Sequence, residues 1–487
     1  MISKLFKSFS LKNLTNGNSY NNNNLNRSTS TPNSFSIILS NQDDCINNDP
    51  TDSWWGSNNN NNNNNNNDTS FTISSYYSPL PSFILFDQLG DEIKLYILSF
   101  LSIKDLFHFA QTSKSMMHYA FDKVLWVERC RNQNGWSHGN DLYSKLSSTN
   151  LISYYHDKSF FSNDMKFQSI DANGNIPSKR YKHSATVFKD EIIYIGGQET
   201  DSKRFCDIVY YNTKTNKFTM PKIKGSIPKF SRHTAQLVND KIYVYGGYNG
   251  MGTYYDLAIF DPIKKRWENI LNQDLKGDIP LSRSNHTSVV IGDMMYIIGG
   301  NRSNKDGSHL LMDDMYCFDT KNKTWTNIVN PKGQVPCGRG GHCTETIDGK
   351  IYLFGGGVWD PSYQWTNRFN DLHIYNPTTN EWSKPDVRGD IVPMTSTFSI
   401  SFVYGSFFYL FGGGSIESNS VTNQIYAFDT FTNNWQKLNF SSFPPKPRDM
   451  STASVINNNV FIFGGYAGGA ISYLDKITFD FIPKLVV

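Results

Sequence analysis

Six Gly-Gly pairs constrain what this chain can fold into more than any other feature of it. They stand at 196–197, 246–247, 299–300, 355–356, 412–413 and 464–465, with spacings of 50, 53, 56, 57 and 52 residues. A repeat of roughly 50 residues is the length of one four-stranded propeller blade. Each pair closes an apolar run: EIIYIGG, KIYVYGG, MMYIIGG, KIYLFGG, FFYLFGG and NVFIFGG. Runs without apolar–polar alternation suit strands buried on both faces, as stacked blades require. Glycine at the strand end admits close backbone approach and turn angles closed to other residues.

Each of the first five pairs is followed by a loop and an alternating strand (DIVYYN, DLAIFDP, DMYCFDT, DLHIYNP, QIYAFDT), then by a turn ending at Phe218, Trp267, Trp325, Trp382 or Trp435. These aromatics are expected to open the outer strand and pack between blades rather than cage a ligand. The expected fold class is mainly β, a six-bladed propeller over 164–487 preceded by a small three-helix domain. Only 22 residues follow the sixth pair, with no turn and Trp. Upstream of the first pair, MKFQSIDANGNIPSKRYKHS reads like the end of one blade and the start of the next, so Met165–Ile170 is expected to supply the last blade's outer strand. Closure of that kind removes sheet edges. The competing candidate for that strand is Lys484–Val487.

Residues 1–80 are polar and low in complexity, with an uninterrupted Asn run at Asn58–Asn67. Such composition cannot bury enough apolar surface to offset ordering entropy, and disorder is expected. Met1–Leu14 spaces apolar residues helically between Ser and Lys; a basic tail, a membrane-surface segment and a presequence all remain open. Lys4, Lys7 and Lys12 interrupt any secretory apolar core. Six Cys without metal spacing are therefore expected to stay reduced, in the cytoplasm or nucleus. A net charge of +3 creates no strong field toward nucleic acid, and no apolar run is long enough to span a bilayer.

Between these parts lies a helical stretch, 83–130. Ile93, Tyr96, Ile97, Phe100 and Leu101 form one apolar face, with Asp91 and Glu92 in the first turn. Ser102 and Ser113 are positioned to cap a second and a third helix, and Val124, Leu125 and Trp126 are expected to end the unit. A linker, 131–163, carries Leu151, Ile152, Tyr154 and Tyr155, a packed segment that would fix the angle between the two domains.

Leu89–Trp126 resembles an F-box. The matching positions are Leu89, Gly90 and Glu92; Ile97, Leu98 and Leu101; Asp105 and Leu106; Thr112, Ser113 and Lys114; and Trp126. Gly90 replaces the usual Pro, and no Trp follows Lys114 at the customary place. From Met165 on, the Gly-Gly pairs, recurring Tyr or Phe and spaced Trp resemble kelch repeats. Together the resemblances imply the substrate-recognition subunit of a cullin-type ubiquitin ligase. Leu89, Glu92, Ile93, Ile97, Leu98, Leu101 and Leu106 would contact a Skp-family adaptor, and the propeller would hold a target that is acidic or phosphorylated. The alternative is a kelch interaction scaffold, cytoskeletal or signalling, without a ligase role.

No nucleophile, phosphate-loop or paired-carboxylate motif appears, and neither catalysis nor a cofactor is expected. His183, His233, His286 and His342 recur at one repeat position, so each is expected to serve its own blade rather than a metal. Arg180, Arg283, Arg339 and Arg448 each follow a Pro by three residues in the loop before an inner strand; Arg232 sits two places later in its repeat, directly before His233, and only the fifth blade lacks Arg, with Ser396 there. They suit bidentate carboxylate or phosphate contacts on a substrate face, or bonds to carbonyls of their own loops. The longest loop after a Gly-Gly pair, Gly357–Phe369, adds Trp359, Tyr363, Trp365 and Arg368 as candidate anchors.

Overall fold

The computed structural model describes residues 86–133, 151, 154 and 165–479, apart from short breaks at 226–227, 254–256, 270–273, 304–308, 361–363, 388–392, 394–395, 416–419 and 441–442. The expectations for the Asn-rich tail, most of the linker and Lys484–Val487 fall outside these residues.

Six antiparallel meanders form the blades. The first runs outward through Ser184–Phe188, Glu191–Ile195, Ile208–Asn212 and Lys217–Thr219. The others repeat it from inner strands Thr234–Val238, Thr287–Ile291, Cys343–Ile347, Ile400–Tyr404 and Thr452–Ile456. In the sixth blade Lys166–Ser169 is the outer strand, pairing antiparallel with Leu474–Thr478 (Lys166 opposite Thr478). The ring is thus closed by chain from its own start. Asn212, Asp261, Asp319, Asn376 and Asp429 stand at one register, and each accepts backbone N–H groups of the turn that follows.

Blade cohesion comes from the repeated aromatic. Phe218, Trp267, Trp325, Trp382 and Trp435 are all buried, each packed between its own blade and the preceding one. Trp325 lies 5.3 Å from Tyr245 and Trp435 lies 5.2 Å from Phe354, ring to ring. The linker entering a blade runs parallel to that blade's outer strand, as Lys276–Gly277 does beside Trp325. Gly277 sits so close that a Cβ there would lie 2.0 Å from the Trp325 carbonyl oxygen, so only glycine fits.

The helical unit contains four α-helices among the described residues, not three: α1 Asp91–Leu98, α2 Ile103–Ala110, α3 Lys114–Ala120 and α4 Lys123–Gln133. Ser102 and Ser113 cap α2 and α3, each hydroxyl accepting an N–H at 3.1 Å. Val124–Trp126 opens α4 rather than ending the unit. Asp122 caps that helix at 2.8 Å, Leu125, Trp126 and Val127 are buried by it, and Arg129 donates to the Leu98 and Leu101 carbonyls. A three-helix unit would have left this apolar run exposed.

The helices join the propeller through a packed connection. Leu151 accepts a contact from Cys130 Sγ at 3.7 Å. The Tyr154 hydroxyl donates to Asp429 in the fifth blade at 2.7 Å, and its ring stacks on Phe407 and meets Phe431 edge-on. One apolar cluster runs from Leu98, Leu106 and Trp126 through Leu151 and Tyr154 to Phe402, Phe407 and Val460 of the fifth and sixth blades.

Candidate binding face

Every blade brings two loops to one face: the loop before its inner strand and the loop after its Gly-Gly pair. Backbone pairing joins them in all six blades, as in Tyr181 with Gln198, Thr397 with Gly414, and Asp449 with Tyr466. One residue further along, Lys182, Arg232, Asn285, Gly341, Phe398 and Met450 all have φ between 54° and 64°. Each donates its N–H to the carbonyl of its counterpart in the preceding blade, at 2.8–3.2 Å. The result is a closed ring of six hydrogen bonds about the propeller axis. Five of its members are not glycine, and a bulky residue such as Phe398 takes this conformation only where surroundings compel it.

Behind that ring sit the four histidines. Each Nε2 lies 2.8–3.0 Å from a hydroxyl of the preceding blade: Thr452 for His183, Ser184 for His233, Thr234 for His286 and Thr287 for His342. Burial holds all four imidazoles below the ordinary histidine range, His233 and His342 at about 3. They are neutral ties between blades, each serving a neighbour as well as its own blade.

The four arginines differ from the substrate-face expectation. Arg180, Arg283, Arg339 and Arg448 are only 0–2% exposed. Arg180 grips Asp207 through two bonds of 2.8 Å and donates to the Gly196 carbonyl at 2.9 Å. Arg283 does the same with Asp314 and Gly299, and Arg339 with Asp371 and Gly355. Arg448 pairs with Asp475. Burial alone would raise the Asp371 carboxyl, but hydrogen bonds from His373 and Arg339 override it and hold it below the carboxylate range. These arginines clamp the Gly-Gly turn to the strand that follows, which leaves no free fork for a ligand. Phe230 and Ser396 occupy their place in the second and fifth blades.

Basic side chains without a hydrogen-bonded carboxylate stand instead at the channel mouth. Lys182 and Arg204 come from the first blade, Arg232 from the second and Arg368 from the base of the fourth blade's hairpin; the charges of Asp201 and Asp449 act on Lys182, that of Asp201 on Arg232 and that of Asp449 on Arg368. Arg204 and Arg232 lie over the Tyr248 ring, 4.9 and 5.2 Å from its centroid. The Lys182 ammonium lies 5.1 Å from the Phe398 ring, which also packs against Gly341; a Cβ at 341 would come within 3.0 Å of it. Nε of Arg204, Nε of Arg232, and Nε and Nη1 of Arg368 are buried with no hydrogen-bond partner. Lys182 is half-buried as a residue, yet its ammonium end is enclosed. Loss of solvent, and then Arg232, hold it well below the lysine range, against the pull of Asp449. Burial pushes the Asp449 carboxyl up to about 7, opposed by Lys182 and Arg368.

Of the mouth, sequence singled out Arg368 and set Arg232 apart as the residue directly before His233. Lys182 and Arg232 sit where the repeat is least regular, the residue before each histidine position being Lys, Arg, Asn, Gly, Phe or Met in turn, and Arg204 lies in the loop after the first Gly-Gly pair. That variability inside a regular repeat was the available signal. Trp359 and Trp365 lie on the hairpin Gly357–Asp360 and Gln364–Arg368, but their side chains, like Tyr363, are outside the described residues.

On the helical unit, the residues expected against an adaptor divide. Glu92, Ile93 and Ile97 are exposed, Leu89 and Leu101 are half-buried, and Leu98 and Leu106 are buried in the cluster shared with the propeller. The last two support the fold rather than an outer surface. Phe100 joins the exposed group instead.

Comparison with known proteins agrees with this architecture. The KLHDC2/KLHL20/DRC7 Kelch-repeats domain family matches residues 148–356 and 358–482, and the F-box-like family matches 86–132. Kelch domain-containing protein 3 of Bos taurus is 26% identical over 294 residues, covering 58% of this chain and 73% of that protein. The Leucine-zipper-like transcriptional regulator 1 homolog of Drosophila melanogaster is 28% identical over 289 residues, covering 56% of this chain and 27% of its own. N-(sulfonatooxy)prop-2-enimidothioate sulfolyase of Thlaspi arvense is 22% identical over 315 residues, covering 60% and 90%. Kelch propellers and F-box-like domains are typically non-catalytic binding modules. The chain belongs to the KLHDC2/KLHL20/DRC7 kelch-repeat family and is a kelch protein-interaction module headed by an F-box-like domain.

Proposed function

We propose that this chain is the substrate-recognition subunit of a cullin-type ubiquitin ligase, docking on a Skp-family adaptor through α1 and holding a target at the channel mouth. The observation that carries the adaptor half is an apolar strip left uncovered on the F-box-like unit. Ile93, Ile97 and Phe100 are 52, 40 and 71% exposed at helical spacing, while the opposite side of the unit is buried against the propeller. Exposed strips of this kind mark interaction surfaces. The target half rests on four cationic groups facing two carboxylates, with guanidinium nitrogens unpaired. Such a mouth suits a target presenting an acidic or phosphorylated group. Ubiquitin transfer belongs to a separate conjugating enzyme, and the Tyr154 joint holds the target at a set distance from the adaptor. This reading places the chain in the cytoplasm or nucleus.

The test is co-purification of the full chain with a Skp-family adaptor. Wild type should retain it, and I93D/I97D should lose it while keeping its melting temperature. If wild type retains no adaptor yet still binds acidic peptides at the mouth, the ligase reading fails and the scaffold reading, cytoskeletal or signalling, takes its place.

A further inference from the structure

Asp449 and Arg368 face each other across Gly414 without touching. A Cβ built on Gly414 would lie 3.6 Å from Arg368 Nη1, 3.6 Å from Asp449 Oδ2 and 3.8 Å from Thr397 Oγ1. No ion pair forms between the two side chains, although the Asp449 charge opposes the lowering of the Arg368 guanidinium by burial. Asp449 is 7% exposed and its Oδ1 is buried without a partner, as are Nε and Nη1 of Arg368. Orphaned groups of this kind are costly in a folded protein, and a ligand that satisfies them recovers the deficit.

The slot offers donors on one side and an acceptor on the other, over a floor with no side chain. Above about pH 7, where Asp449 is ionised, a lone carboxylate would be repelled by it, a lone ammonium would meet Arg368, and an apolar group would leave all three atoms unpaired. A carboxamide carries an acceptor and a donor in one plane and answers both walls. We propose that the slot between Arg368 and Asp449 binds a carboxamide of the target, its C=O accepting from Arg368 and its N–H donating to Asp449. This deepens the reading of the mouth as the target site and rests on it. The carboxamide is either an Asn or Gln side chain or a peptide link of the target backbone.

The probe is a peptide selected from a random library on the full wild-type chain, with binding followed by fluorescence anisotropy. Two series of the peptide are made: each Asn or Gln changed to Asp or Glu, and each backbone N–H methylated in turn. One change in one series should weaken binding tenfold or more, and which series responds identifies the source. That loss should vanish in D449N and R368Q, which themselves bind the parent peptide at least tenfold more weakly. G414A keeps both walls, introduces no contact closer than 3.6 Å and fills the floor; it should also lose tenfold. All three variants should melt with wild type, because D449N and R368Q break no internal hydrogen bond and the methyl added by G414A meets only van der Waals contacts. If all three bind within twofold of wild type while R232Q loses binding, the mouth holds the target and the carboxamide slot is wrong. If R232Q also binds normally, or the library yields no peptide, the target-site reading and the slot fall together.

Discussion

Arginine meets this face in two settings, and the two arise from loops only a few residues apart. Arg180, Arg283, Arg339 and Arg448 point inward, lose all solvent, and are each held by a carboxylate and usually by a Gly-Gly carbonyl. Arg204, Arg232 and Arg368 turn toward the channel mouth, where nitrogens are buried but unpaired. The first set repeats with the blades; the second does not. A residue that recurs with the repeat is explained by the repeat. A charged residue that breaks it, and is left unsatisfied, is available to a ligand.

The largest effect expected from breaking this contrast lies on the structural side. D475A would strand the Arg448 guanidinium where both partners are buried, at 1% and 3% exposure. Loss of one member of such a pair costs about 3–5 kcal/mol. Denaturant unfolding should show that loss, and R448M in the same background should recover part of it. R232Q removes no internal bond and should stay within about 0.5 kcal/mol of wild type.

The next effect is a dependence on pH. The four ring histidines are held neutral by burial, so the folded chain binds fewer protons than the unfolded chain below the ordinary histidine range. Stability should be fully present above about pH 6.5. It should fall as pH drops from there toward the folded value of about 3 for His233 and His342. Denaturant midpoints across that window give the slope, and H233Q should flatten it. A smaller effect is expected at the ring of backbone hydrogen bonds. G341A puts a side chain at φ +64° and against Phe398, and should cost roughly 1–2 kcal/mol for the backbone alone. G341A/F398A should recover only the contact.

Much of the fold was legible because propellers repeat. Six Gly-Gly pairs set the blade number, and the short tail after Gly465 pointed to an outer strand drawn from elsewhere; Lys166–Ser169 lies there. The helix caps were readable because Ser102 and Ser113 act within three residues. Helix α4 was not, since its apolar run Val124–Trp126 looks the same at the end of a helix as at the start of another. The arginine ring was legible as a pattern but not as a role. Its partners Asp207, Asp314 and Asp371 lie 27–32 residues away, and no local spacing tells a clamp from a binding group. The mouth was least legible, because Lys182, Arg204, Arg368 and Asp449 come from three different blades and meet only when the ring closes.

Binding belongs to the mouth, and stability to the arginine clamps. This division is tested most directly by measuring peptide affinity and melting temperature on two variants of the full chain, R232Q/R368Q and D475A. R232Q/R368Q should lose affinity for an acidic peptide at least tenfold with an unchanged melt, whereas D475A should melt well below wild type and, at temperatures where it is folded, bind within about twofold. Normal affinity in R232Q/R368Q, or an unshifted melt in D475A, would contradict it.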